Sequence, residues 1–325
     1  MREVFSWKFV FYQVILPALR CLGPARSDRA LGWLGRIAAR LMPGRTRSMA
    51  EALRRGNELL ETTWPVSTLL PAFAADTARF QARDYILDGL DDVQALARFD
   101  VRGAGRLIQT LQSGRGVILV GCHLGAHISG IHWFFRRHLP IRLLAQRPKH
   151  ISGSLDRYFD SGGRFPQSEL FLHRGMKPAD AAQHILLARD AIRDGMAIYV
   201  NGDIPWDGPN TRGGRILGRN HQLLTTWIDL GLLTGSPIFW VFCTHEAGGR
   251  FALDIEPMET IRPGEEQLAL DRYLAELNAR IANDPTEAVA HLLWPCYSSS
   301  LVAGCKNKLP RLDRPSRRKP VARSS

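Results

Sequence analysis

One stretch constrains this chain more than any other: Gly114-Arg115-Gly116-Val117-Ile118-Leu119-Val120-Gly121-Cys122-His123-Leu124-Gly125-Ala126-His127. An unbroken aliphatic run bounded by glycines reads as a strand buried on both faces. The residues from Gly125 through Phe135 read as the start of a helix. In open α/β sheets, ligands meet the carboxyl ends of the strands. His123 stands at that end, and an imidazole takes up a proton near neutral pH. Cys122 beside it reads as a small buried hydrophobe rather than a nucleophile, because sequence neighbours on one element seldom face each other.

The rest of the chain repeats this alternation. Residues 28–62 have helical spacing (Leu31, Leu34, Ile37, Ala38, Leu41) with a break at Pro43-Gly44. Residues 64–112 read as further helices around a loop near Asp88–Asp92. Strands are expected at Ile141–Ala145, Leu170–Leu172, Met196–Val200, Arg215–Leu217, Ile238–Thr244 and Phe251–Ile255. Helices are expected at Leu155–Phe159, Ala179–Asp194, Leu223–Leu233 and 265–284, and a hairpin turn at His245–Gly249. The pattern predicts an α/β domain whose mostly parallel central sheet is flanked by helices.

Charge and cysteine content bound the setting. The formal net charge is +12, of which the segment Lys306–Ser325 carries +7. That tail, with its three prolines, reads as disordered, and suits an anionic membrane surface or nucleic acid. No helix-turn-helix, stacking platform or zinc finger accompanies the charge, so nucleic acid is not the expected partner. Five scattered cysteines form no CxxC pair, which fits a reducing compartment. Val4–Leu16 is apolar and aromatic but broken by Lys8, Gln13 and Pro17. It is short for a membrane span and reads as an interfacial helix, with Trp7, Phe9 and Tyr12 at headgroup depth. The expected division is an interfacial helix over 1–27, an α/β domain over 28–305 and a basic tail over 306–325.

Four segments, in order, carry a resemblance: Gly114–Gly130; Gln146-Arg147-Pro148-Lys149 through Leu155-Asp156-Arg157; Tyr199-Val200-Asn201-Gly202-Asp203; and Ile216-Leu217-Gly218-Arg219 followed by Thr225–Val241. From about Ala30 to Trp294 the chain resembles the bacterial lipid A biosynthesis lauroyl/myristoyl acyltransferases, within the wider lysophospholipid acyltransferase group. The resemblance implies a glycerolphosphate-acyltransferase-like fold on the cytoplasmic face of the inner membrane. It also implies transfer of a fatty acyl group from an acyl carrier protein or coenzyme A thioester to a hydroxyl or amine of a glycolipid or related amphiphile. It implies no metal and no bound cofactor. The family's catalytic motif is a histidine followed, after four residues, by Asp or Glu. Carried over, the histidine is His123 and the acid position is Ile128.

Isoleucine cannot orient an imidazole, and three expectations follow. Asp203, which also follows a buried strand, is the candidate acid. His127, one helical turn from His123, is a candidate to share the site. Alternatively the chain has lost its chemistry and serves as a lipid-binding or partner protein on the same fold. Arg147 and Lys149 are candidate anion ligands, as is Arg219, with Arg215, Asn201 and Asn210 near that second patch. A zinc site at His123 and His127 lacks the glutamate of a His-Glu-x-x-His motif and an obvious third ligand. Trp227 and Phe239-Trp240 suit either an acyl tunnel or core packing.

Overall fold

The computed structural model describes residues 7–148, 150–159, 170, 172, 176–208, 210–258 and 260–298. The chain opens with α1 (Trp7–Val10), a π-helical turn (Phe11–Ile15) and α2 (Leu16–Arg20). Three longer helices follow: α3 (Pro24–Leu41), α4 (Pro43–Leu60) and α5 (Val66–Ala82). The α/β part then runs α6 (Asp92–Leu96), β1 (Phe99–Arg102), α7 (Ala104–Gln112), β2 (Val117–Gly121), α8 (His127–Arg136), β3 (Ile141–Leu143), α9 (Gly153–Asp156), α10 (Pro178–Arg193) and β4 (Ala197–Asn201). It closes with β5 (Thr211–Ile216), β6 (Arg219–Leu224), α11 (Thr226–Thr234), β7 (Ile238–Glu246), β8 (Arg250–Met258), α12 (Glu266–Asn283), α13 (Val289–Leu293) and α14 (Pro295–Ser298).

Six strands form the main sheet in the order β1-β8-β7-β2-β4-β3, and only the β7–β8 hairpin is antiparallel. Side chains alternate across a strand, so β2 feeds two core layers. Ile118 and Val120 join Ile198, Val200 and Trp227 on one face, whereas Val117 and Leu119 join Ala197, Tyr199 and Val241 on the other. Burial on both faces explains why β2 and β4 are almost wholly apolar. Helix α8 is buried along its whole length, including Arg136. That guanidinium donates from Nη1 to the Leu90 carbonyl (2.7 Å) and Asp92 (2.8 Å) and from Nε to His132 Nδ1 (3.2 Å), while its buried Nη2 has no partner.

Several elements differ from the sequence reading. Residues 64–112 are not all helical, because Phe99–Arg102 forms the edge strand β1 beside β8. Four alternating residues wedged between helices give too short a signal to read. The strand expected at Arg215–Leu217 is present as the end of β5, but it pairs with β6, which takes the start of the helix expected at Leu223, in a separate hairpin closed by Leu217 and Gly218 at positive φ. Leu170 lies in a 3-10 turn rather than a strand, and Phe171 is outside the described residues. The boundary expected at 27/28 falls inside α3, where Ser27 and Asp28 are both buried. Tyr12 is not at headgroup depth. Its hydroxyl donates to the Gln81 carbonyl at 2.8 Å, and its ring stacks on His150 with centroids 4.3 Å apart. The Trp7 side chain and the tail over 306–325 lie outside the described residues. Among the described residues, no helix is long and apolar enough to cross a membrane.

Helices α3 and α5 pack through small residues. A Cβ on Gly35 would lie 2.3 Å from the Ala74 carbonyl oxygen and 2.9 Å from the Ala75 Cα, both backbone atoms that cannot swing aside. Gly35→Ala is expected to push the helices apart and cost about 1–3 kcal/mol, read as a lower urea midpoint with unchanged secondary structure. An unchanged midpoint would show that the two helices are not seated this closely.

Candidate active site

Strands β2 and β4 are parallel neighbours with Gly121 opposite Asn201. Their carboxyl ends therefore deliver His123 and Asp203 to the same place. The turn after β2 is held in shape by three backbone bonds: Gly125 N–H to the Glu287 carbonyl (2.9 Å), Ala126 N–H to the Cys243 carbonyl (2.8 Å) and Gly202 N–H to the Gly121 carbonyl (2.9 Å). Gly125 sits at φ +51°, and a Cβ there would meet the Glu287 carboxylate at 2.2 Å. Glycine is therefore required for both conformation and space.

Asp203 is fully buried and bonded on every side. Its Oδ1 lies 3.0 Å from His123 Nδ1. Its Oδ2 accepts from the His123 backbone N–H at 2.7 Å, from His291 Nε2 at 2.9 Å and from the Tyr297 hydroxyl at 3.3 Å. Burial by itself would push this carboxyl up. The His123 imidazole, then the bonds from His123 and His291, reverse that and hold it well below the usual carboxylate range. Asp203 is thus an anion at neutral pH. With His123 Nδ1–H given to Asp203, Nε2 is left as the basic nitrogen. Nε2 faces the Asn201 amide nitrogen at 3.5 Å, and the ring retains some solvent access.

Around the imidazole stand His127 (centroids 5.2 Å apart), Trp294 (5.5 Å) and Tyr297 (6.4 Å). The Tyr297 hydroxyl also lies 3.1 Å from His123 Nδ1. Burial raises the Tyr297 pKa well above that of a free phenol, so the hydroxyl stays protonated. His127 is buried with Nδ1 unpartnered, and desolvation pushes its pKa well below that of a free imidazole. It is a neutral wall of the site. Arg83, at φ +54°, brings its charge close to both Tyr12 and His127. Burial raises the Cys122 thiol far above a reactive range, so no thiolate forms there.

The sequence-predicted residues divide clearly. His123, Asp203, His127 and Asn201 converge. Ile128 does not. It packs with Leu119, Tyr199 and Val241, in the core layer on the other side of the sheet from Tyr297. Arg147 is bonded to Asp156 at 2.6 Å, an acid only nine residues away, so its charge is already matched. Lys149 lies outside the described residues. Trp227 and Phe239 are fully buried core residues. Arg219 comes to the mouth of a cavity of about 230 Å³ shared with Ser48, Arg55, His291, Leu292 and Tyr297. Desolvation, followed by repulsion from Arg55, lowers the Arg219 pKa. His291, Trp294, Tyr297 and Arg55 escape sequence reasoning, because nothing in their spacing ties them to His123.

No family model matches the chain, and no curated protein matches it. Among the described residues no cluster of His, Cys, Asp or Glu is arranged to hold a metal ion.

Two outcomes follow from this geometry. Ile128→Glu would bury a charge with no partner and is expected to cost on the order of 3–5 kcal/mol, seen as a large fall in the urea midpoint without any gain in turnover. Asp203, with its folded pKa depressed, contributes stability above its unfolded value near ~4 that is lost as pH falls. The stability gap between the wild type and Asp203→Asn should therefore be widest above about pH 4 and narrow in acid. A gap that stays constant with pH would show that the carboxylate is not held as an anion.

Proposed function

We propose that this protein is an acyltransferase that moves a fatty acyl group from an acyl-carrier-protein or coenzyme A thioester to a hydroxyl or amine of a glycolipid or related amphiphile. The observation that carries this reading is the Asp203 carboxylate seated on His123 Nδ1, which leaves Nε2 partly accessible at the edge of a mostly parallel sheet. In the proposed step, Nε2 takes the proton from the acceptor O–H or N–H as the acceptor attacks the thioester carbonyl carbon. The tetrahedral adduct then expels the thiolate, which receives that proton back from the imidazolium. Atoms and charge balance without a metal or a bound cofactor. Asp203 orients the ring and stabilises it once protonated.

The likeness to the lipid A acyltransferases in the order of segments supports the reaction class and a glycerolphosphate-acyltransferase-like fold. Arg219 and Arg55 at the cavity mouth suit an anionic part of either substrate, such as the phosphates of the donor's pantetheine arm. Within this proposal the protein works at the cytoplasmic face of the inner membrane, where acceptor and donor meet. A carboxylate on the His123 ring supports the enzyme reading over the alternative raised by Ile128, a lipid-binding or partner protein that has lost its chemistry.

Labelled acyl thioester, supplied on carrier protein and on coenzyme A, and a bacterial lipid extract should give labelled lipid with the wild-type chain. His123→Ala and Asp203→Asn should each lower kcat/KM by about 10²–10⁴-fold. Variants as active as the wild type would overturn the assignment, as would a wild type that acylates nothing with either donor.

A further inference from the structure

Helix α3 has one buried and one exposed face, and the exposed face is unusual. Its buried residues are Ser27, Asp28, Leu31, Gly32 and Gly35. Its exposed positions include Arg26, Arg29, Trp33, Arg36 and Arg40. The spacing of these five alternates between three and four residues, so they form one straight stripe along the helix. At 1.5 Å per residue the stripe is about 21 Å long. Trp33, near its middle, is 57% exposed. The only acid of α3, Asp28, points inward and is bonded to Arg79 at 2.7 Å. None of the four stripe arginines has an acidic partner among the described residues. The stripe ends at the α3–α4 corner, where Leu41 (76% exposed) and Met42 (52%) stand between Arg40 and the exposed Arg45 and Arg47.

We propose that this stripe and corner form the face that docks on an anionic phospholipid bilayer. Four uncompensated guanidiniums complement acidic headgroups, and their long stems let the charges sit at headgroup level. An indole among them occupies the depth that tryptophan favours at a bilayer surface. Leu41 and Met42 are apolar groups that an aqueous anionic partner leaves exposed and an acyl-chain region buries. The bilayer therefore accounts for the apolar and the charged residues together, whereas nucleic acid or an acidic protein accounts for the charge alone. The inference moves the membrane face from the N-terminal segment, whose Tyr12 and Leu16 pack against the protein, to α3 and its corner. It extends the membrane setting of the proposed function and is independent of the chemistry at His123, because binding is read without turnover.

The full chain is tested by co-sedimentation with vesicles of phosphatidylcholine alone and of phosphatidylcholine with phosphatidylglycerol. Binding is expected only to the anionic vesicles and should weaken as salt rises. Each stripe arginine near the surface contributes about fivefold to partitioning. R26Q/R29Q/R36Q/R40Q should therefore bind on the order of several hundred-fold more weakly. Trp33→Phe keeps the arginines and gives a second reading: the share of tryptophan fluorescence quenched by brominated acyl chains should fall relative to the wild type. Unchanged partitioning of the fourfold variant would overturn the proposal, as would quenching that does not depend on Trp33. So would a variant that loses affinity for duplex DNA or for an acidic carrier protein while keeping its affinity for vesicles.

Discussion

The arrangement at the site rests on one buried anion. Removing a carboxylate from water costs several kcal/mol unless other groups replace its hydration. For Asp203 the replacements come from three separate pieces of chain: backbone and ring of His123 after β2, the His291 ring on α13 and the Tyr297 hydroxyl on α14. Each is needed by the carboxylate, and each is fixed by it in return. The anion thus joins the ends of two strands to the last helices of the described chain, and the orientation of the His123 ring is a consequence of that junction.

The same logic accounts for an isoleucine at position 128. An imidazole needs an acceptor at Nδ1 to fix its tautomer, but that acceptor can come from any element within reach. One source is the helix that follows the histidine. Another is the end of a neighbouring parallel strand, which lies about 4.8 Å away in the hydrogen-bonding direction. Asp203 uses the second route. With the ring satisfied from the end of β4, position 128 has no polar partner to serve, and its place at the start of the buried helix α8 favours an apolar side chain. Ile128 is then a core residue whose identity follows from the layer it faces.

What could be read in the sequence follows from how local each cause is. Strands β2 and β4 were legible because burial on both faces leaves an aliphatic run, and His123 and Asp203 because each is the polar residue just past such a run. Asp203 is marked by its position along a strand, without any direct signal of contact. The partners His291 and Tyr297 stand 88 and 94 positions from Asp203, and no local pattern encodes such a separation. Arg147 shows the opposite limit: basic residues before a helix suggest an anion site, and no local pattern tells that Asp156 already stands 2.6 Å from the guanidinium. The β5–β6 hairpin was obscured because its strands are rich in Arg, Asn, Gln and Gly and face α12 rather than a second sheet. Tyr12 reads as a surface residue because an aromatic in an apolar segment looks the same in sequence whether lipid or protein covers it.

Helix α5 links the two regions that matter for the proposals. On one side it receives α3 at backbone contact through Gly35. On the other its Phe80 ring lies 5.5 Å from His127 and 5.7 Å from Trp294, both neighbours of His123. Packed helices stand about 8–10 Å apart, and closer when glycines meet. The arginine stripe on the outer face of α3 is thus separated from the histidine by two helix layers, on the order of 20 Å. If the stripe rests on a bilayer, an acceptor must carry its reacting group across that thickness to meet the His123 ring. In that arrangement the thickness is set by the backbone contact of α3 with α5 at Gly35.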